Sequence, residues 1–192
     1  MFYSPKLISL QNPNPMKNLL ILLTAAALVF TGCKNHFSFE ELEFDYPSDC
    51  TIDHHDTDGN TMAISISNPD GNSYIFIEVV KEDPEAVADP DPEILSAYLI
   101  DNAYQIMDIF VIGSENISLS APFSKDDISV EGDDSDMEVY AFFDGTYKGG
   151  PYCGSLRATM LRNYRITAVA QGTKEEDVDR LIDNIYLTAH IK

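Results

Sequence analysis

Two adjacent stretches of alternating polar and apolar residues constrain the fold of this chain more than any other feature. In Thr61–Ser67 the side chains of Met62, Ile64 and Ile66 fall on one face, which is the period of a half-buried strand. A turn sequence, Asn-Pro-Asp-Gly at 68–71, follows, and 74–80 is rich in apolar and β-forming residues. The two stretches predict an antiparallel hairpin, and therefore a sheet with a buried face.

Two amphipathic helices are predicted, one in the middle of the chain and one at its end. Asp91 is placed as the N-cap of the first helix and Pro92 at its first position. Apolar residues then recur at spacings of three and four over about four turns. In the second helix Thr173 and Glu176 have the spacing of a capping box, and its apolar side is formed by Val178, Leu181, Ile182, Ile185 and Tyr186.

The remaining strands complete an α+β pattern. Asp58-Gly59 predicts a hairpin turn, and 114–136 is expected to be the least ordered stretch. Further strands are predicted at 50–54, 109–112, 137–144, 154–162 and 164–171. We therefore expect an antiparallel sheet of about six or seven strands packed with two main helices.

The N-terminal region has the layout of a secretory signal. Residues 16–32 contain Lys17, an apolar run at 19–30, and small residues before Cys33. The run is too short for the ~30 Å hydrocarbon core of a bilayer. Residues 1–15 are interpreted as an extension from an upstream start codon.

The end of this signal resembles the lipobox of bacterial lipoproteins. Phe-Thr-Gly-Cys at 30–33 occupies its place, and in that class the cysteine is diacylated after cleavage before it. The resemblance implies lipidation of Cys33, a tether at 33–38, a single domain at 39–190, and attachment to the outer membrane of a bacterial envelope. A plain signal peptide with an incidental Cys33 is the alternative.

Composition and charge narrow the function classes. The sequence has 44% hydrophobic residues, as in an ordinary globular protein. A net charge of −20 argues against nucleic-acid binding, which needs a basic face. No stretch has the spacing of a known catalytic motif, so we expect a protein that is not an enzyme and carries no cofactor.

Two cysteines remain beyond the lipobox. Cys50 and Cys153 would lie in an oxidising compartment, where a disulfide between them could persist. The sequence leaves open whether they form that disulfide or stay as free thiols.

One cluster is rich in metal-ligand types. Asp53, Asp56 and Asp58 lie with two histidines at 53–58, and Asp-x-Asp-Gly resembles the start of a calcium loop. The Glu that should occupy the twelfth position is replaced by Ser67. A solvated hairpin tip, a calcium site and a weak transition-metal site remain as alternatives.

An aromatic-rich region forms a second candidate site. Tyr140, Phe142, Tyr147 and Tyr152 surround several glycines. Aromatic walls beside flexible loops suit a cleft for a small molecule or glycan. Core packing on alternating strand faces is the other explanation.

The order of elements resembles the PsbP-like or Mog1-like family of small α/β/α sandwiches. The resembling stretches are 44–50, similar to an F-x-x-P-x-x-W opening with Cys50 in place of Trp, 65–80 with its turn, and 164–185. Members occur as photosystem accessory proteins and as bacterial lipoproteins, without shared catalytic residues. The resemblance implies an accessory or scaffold role rather than catalysis. Together with the lipobox-like end, the short tether and the lack of a catalytic motif, it leads us to expect an accessory or partner-binding module in the cell envelope. A module that binds a small ligand or a divalent cation is the alternative.

Overall fold

The main sheet of the protein is antiparallel. A computed structural model describes residues 34–87, 91–133 and 136–192. Within these residues the sheet has eight strands, which are β3 (Thr51–Asp58), β4 (Thr61–Ser67), β5 (Ser73–Lys81), β6 (Ile117–Leu119), β7 (Ser129–Glu131), β8 (Glu138–Tyr147), β9 (Gly150–Leu161) and β10 (Tyr164–Gly172). They lie in the order β3-β4-β5-β10-β9-β8-β6, and β7 also pairs with β8.

The predicted hairpin at the start of the sheet is confirmed. β4 and β5 pair antiparallel in a register that places Ile64 opposite Ile77. Gly71 in the connecting turn has a φ of 67°, a left-handed conformation that glycine adopts without steric cost. The alternation of apolar residues therefore fixed both the strands and their buried face.

A second, three-stranded sheet was not predicted. It consists of β1 (Lys34–Phe39), β2 (Leu42–Pro47) and β11 (His190–Ile191) in the order β1-β2-β11. The expected tether at 33–38 is therefore wrong from Lys34 onward, and the folded unit begins at Lys34 rather than at residue 39. The sequence of β1 is mostly polar, so it lacks the alternating pattern that predicts a strand. Its Phe37 ring packs on that of Phe44 in β2, with ring centroids 5.3 Å apart.

The helices α1 (Pro92–Met107) and α2 (Glu175–Thr188) lie where the sequence predicted them. The side chain of Asp91 caps α1 by accepting a hydrogen bond from the backbone N–H of Glu93 at 2.9 Å. The predicted strand at 109–112 is wrong, because this apolar run continues α1 as a π-helical turn, Asp108–Ile112. The predicted capping box at Thr173 is also wrong, since α2 has Lys174 at its N-cap and no side-chain cap.

The core has two parts, one on each face of the main sheet. On one face α1 covers Val139, Leu156 and Val169. On the other, α2 and the small sheet cover residues such as Ile64 and Ile166. The resulting layers form an α/β/α sandwich, which is the expected α+β fold. Within the described residues, no helix is both long and apolar enough to span a membrane.

Candidate functional site

The aromatic residues predicted to line one cleft lie on opposite faces of the main sheet. Side chains alternate between faces along a strand, so Tyr140 and Phe142 on β8 point away from the face to which Tyr147 belongs. Tyr152 on β9 shares its face with buried Leu156, on the side of α1. The expectation of a single aromatic cleft is therefore wrong, because strand alternation divides these residues between two places.

Phe142 is exposed to solvent because α2 packs mainly on other strands of the sheet. The helix packs against β2, β5, β9 and β10. Outward-facing side chains of β8 therefore receive little cover, and Phe142 is 63% exposed although it lies in the middle of a strand. The ring of Tyr140 meets it edge-on, with centroids 6.0 Å apart.

A groove with a volume of about 250 Å³ lies between Phe142 and the first turns of α2. We call it the Phe142 groove. A smaller hollow shares Phe142, Phe143 and Asp144 with it. The residues that line the groove are Phe142, Phe143, Asp144, Cys153, Gly154, Glu175, Val178 and Asp179.

The Phe142 groove is electrostatically negative. Asp144, Glu175 and Asp179 contribute three carboxylates, and none of the described residues that line the groove is basic. Burial, followed by the negative charges of these carboxylates, raises the pKa of the Cys153 thiol. The thiol therefore stays protonated, which disfavours a nucleophilic role for it. This chemistry suits a surface that binds a cationic group.

A second pocket, of about 140 Å³, lies on the opposite face at the end of the sheet near the β4–β5 turn. We call it the tyrosine pocket, and its lining residues are Gly71, Asn72, Tyr74, Tyr147, Tyr152 and Thr173. The rings of Tyr147 and Tyr152 are 5.4 Å apart. Tyr74 was missed from the sequence, because it joins them only through the strand order β5-β10-β9.

The predicted metal ligands are not gathered into a site. Asp53, Asp56 and Asp58 all lie on β3, whose residues are all exposed. Among the residues that the structure describes, no group of three or more His, Cys, Asp or Glu side chains could hold a metal ion. The structure therefore does not bring these three side chains together, because an extended edge strand spreads its side chains along its length and over two faces.

The two cysteines are free thiols in the structure, and the disulfide alternative is not formed. Cys50 is buried in the core under α2, and Cys153 is half-buried against the same cluster. Burial, reinforced by the neighbouring Asp49, raises the pKa of Cys50 to about 11. Cys33, the expected lipidation site, lies outside the described residues.

Comparisons with known proteins bear on the fold alone. No family model matches the chain, and no curated protein matches it. The crystal structure of the Saccharomyces cerevisiae Ran-binding protein Mog1p is similar, with a TM-score of 0.51 and 6% identity over 84% of this chain and 96% of that one. This chain has a Mog1-like fold. The likeness confirms the expected α/β/α sandwich.

A crystal structure from Bacteroides thetaiotaomicron also matches. It has a TM-score of 0.45 and 14% identity over 82% of this chain. The chain spans about half of that protein, 48% of its length.

Proposed function

We propose that this protein is an outer-membrane lipoprotein that acts as a non-enzymatic, partner-binding module in the cell envelope. The proposal for the anchor rests on the sequence at 16–33, with its apolar run and lipobox-like end. The proposal for partner binding rests on one observation, the 63% exposure of Phe142 beside a groove with three carboxylates.

An exposed aromatic ring next to a hollow is typical of a protein-binding surface. Aromatic side chains dominate the energetics of many interfaces, since they bury a large area at small entropic cost. Phe142 is held on a strand, and the Phe143 ring packs over Gly154 beside it. The partner would therefore meet a surface that is already ordered.

The charge of the Phe142 groove indicates the chemistry of the partner. Asp144 faces two acidic side chains of α2, Glu175 and Asp179. A basic side chain of the partner would pair with these carboxylates while an adjacent apolar side chain packed on Phe142. Opposite charges at the rim of an interface mainly accelerate association, so binding should weaken as ionic strength rises.

The anchor is tested by metabolic labelling with palmitate. Wild-type protein should incorporate the label and partition with membranes, while the Cys33→Ala variant should do neither, because two or three acyl chains are needed for stable attachment. Incorporation that survives Cys33→Ala overturns the anchor without bearing on the groove.

Partner binding is tested by site-specific cross-linking in cells. A photo-reactive phenylalanine analogue at position 142 should give a discrete cross-linked species. The same analogue at Leu187, an exposed apolar residue of α2 outside the groove, is the matched control and should not. The species should be lost with Asp144→Asn and Asp179→Asn combined. Identical products from both positions, or a product indifferent to the two carboxylates, overturn the proposal.

Binding of a small ligand is a second candidate function. The observation that favours it is the tyrosine pocket, which lies on the other face of the sheet and shares none of its lining residues with the Phe142 groove.

A further inference from the structure

We propose that the tyrosine pocket binds one neutral sugar ring, a hexopyranose unit. The inference rests on the second candidate function and names its ligand class. It is independent of the groove around Phe142.

The size of the pocket limits the ligand to a single ring. Its volume is about 140 Å³. A protein cavity of ~150 Å³ accommodates benzene, so this pocket has room for one six-membered ring at most, and the outer hydroxyl groups of a hexopyranose would stay in solvent. A longer saccharide could therefore place only one of its rings inside.

The residues that line the tyrosine pocket disfavour a charged ligand. Three tyrosines, an asparagine, a threonine and a glycine form the walls, and none of these described residues carries a charge at neutral pH. Burial raises the pKa of Tyr74, and burial together with the neighbouring Tyr74 raises that of Tyr152. Both phenols therefore remain neutral hydroxyl groups. None of these described lining residues could offset the cost of desolvating an ion, so the pocket favours a neutral ligand.

The hydroxyl groups can serve a ligand that both donates and accepts hydrogen bonds. Tyr74 Oη accepts a hydrogen bond from Gln171 Nε2, and this bond does not use the proton of Tyr74 itself. Tyr147, Tyr152 and Thr173 bring three further hydroxyl groups to the lining. Sugar hydroxyls match this mixture, since each is both a donor and an acceptor.

Tyr147 provides the flat wall that a sugar ring needs. Tyr147 is 38% exposed, and its ring centroid lies 5.4 Å from that of Tyr152. The C–H groups of a pyranose face can pack on such an aromatic surface, whose face is electron-rich. Lys148 Nζ lies 4.9 Å from the centroid of the Tyr147 ring, a cation–π contact.

The test is saturation-transfer NMR on the purified full-length protein with D-glucose, D-galactose, D-mannose and N-acetyl-D-glucosamine as separate probes. At least one sugar should receive saturation at its ring C–H protons, with a Kd on the order of 1–10 mM, as expected for so few ligand atoms. Tyr147→Ala should reduce the signal at least fivefold. Tyr140→Ala, the same change on the opposite face of β8, should leave it unchanged.

A second variant and a second probe separate the possible failures. Tyr74→Phe keeps the ring and removes the hydroxyl, so it should also weaken binding severalfold while the protein stays folded by circular dichroism. Benzyl alcohol serves as a neutral aromatic probe. If it binds through Tyr147 and no sugar does, the sugar assignment is overturned and the pocket remains a ligand site. Absence of binding by any probe overturns both, and a sugar signal that survives Tyr147→Ala overturns the assigned position.

Discussion

Arg165 donates a hydrogen bond from Nη1 to Glu78 Oε2 at 2.9 Å, and the arginine is only 6% exposed. Its Nη1 also donates to Thr167 Oγ1 at 3.1 Å, and its Nε donates to Tyr98 Oη at 3.2 Å. Glu82 Oε1 lies 3.5 Å from the same Nε. Arg165 thus holds two carboxylates and links the main sheet to α1.

Removing this arginine should be costly, because two partly buried carboxylates would lose their counter-charge. We expect Arg165→Met to lower the free energy of unfolding by about 2–4 kcal/mol, below the usual range for fully buried pairs since both glutamates keep some contact with water. Urea denaturation followed by circular dichroism measures this. The matched control is Arg162→Met, at an exposed turn residue. Equal stability of the two variants would contradict a stabilising role for the contacts of Arg165 with Glu78 and Glu82.

The second prediction concerns the close approach of Phe143 to Gly154, which are paired across β8 and β9. A Cβ built on Gly154 would lie 2.0 Å from Cζ of the buried Phe143 ring. Gly154→Ala should therefore destabilise the protein by about 1–3 kcal/mol through overpacking. Gly150→Ala is the control, because there the nearest atom lies at 3.7 Å and φ is not positive. Thermal unfolding that shows the same loss for both variants would refute this explanation.

The third prediction distinguishes free thiols from a disulfide. With its pKa raised to about 11, Cys50 has little thiolate near pH 8, and burial blocks access to it. Iodoacetamide should leave Cys50 unmodified in the folded protein. In guanidinium chloride without reductant, both Cys50 and Cys153 should be alkylated, as read from their tryptic peptides by mass spectrometry. Protection of both in the denaturant would show that they are bridged.

Local patterns in the sequence predicted the main sheet better than the sites. β4, β5 and the cap at Asp91 follow from alternation and from capping chemistry within a few residues. β1 was not predicted, because its sequence is mostly polar and it forms a strand only by pairing with β2. The tyrosine pocket depends on Tyr74 and Tyr152 meeting across β10, a non-local arrangement that no local pattern encodes.

The apolar run at 109–112 shows a second limit of predicting secondary structure from the sequence. It has the composition of a short buried strand, yet it continues α1 as a π-helical turn. Short apolar runs have no period long enough to distinguish the two structures. Here the preceding helix α1 determines that the run is helical, because continuing the helix places Val111 in the core.

The fourth prediction follows from the exposed acidic strand β3. Because no described cluster could hold a metal ion, calcium and EDTA should leave the midpoint of thermal unfolding unchanged within about 1 °C. Differential scanning calorimetry measures this directly. A rise with calcium that disappears in Asp56→Asn with Asp58→Asn would restore the metal site.

The last prediction concerns pH and the small sheet. His36 Nδ1 lies 3.2 Å from Asp45 Oδ1, and its Nε2 lies 3.1 Å from Glu43 Oε1. Hydrogen bonds to these carboxylates, that to Asp45 first, raise the pKa of His36 above 6.5. Glu43 remains charged in this range, because hydrogen bonding from Lys192 lowers its pKa.

The sign of the effect follows from the raised pKa. A histidine that binds its proton more tightly in the folded state stabilises that state below the unfolded pKa, and the contribution is lost as pH rises through the folded pKa. The unfolding midpoint of wild type should therefore exceed that of His36→Gln at about pH 5.5, and the gap should close by about pH 9. His54→Gln, a change at an exposed position of β3, is the control. A gap for His36→Gln that is equal at both pH values would mean that the ion pairs with Glu43 and Asp45 do not contribute to stability.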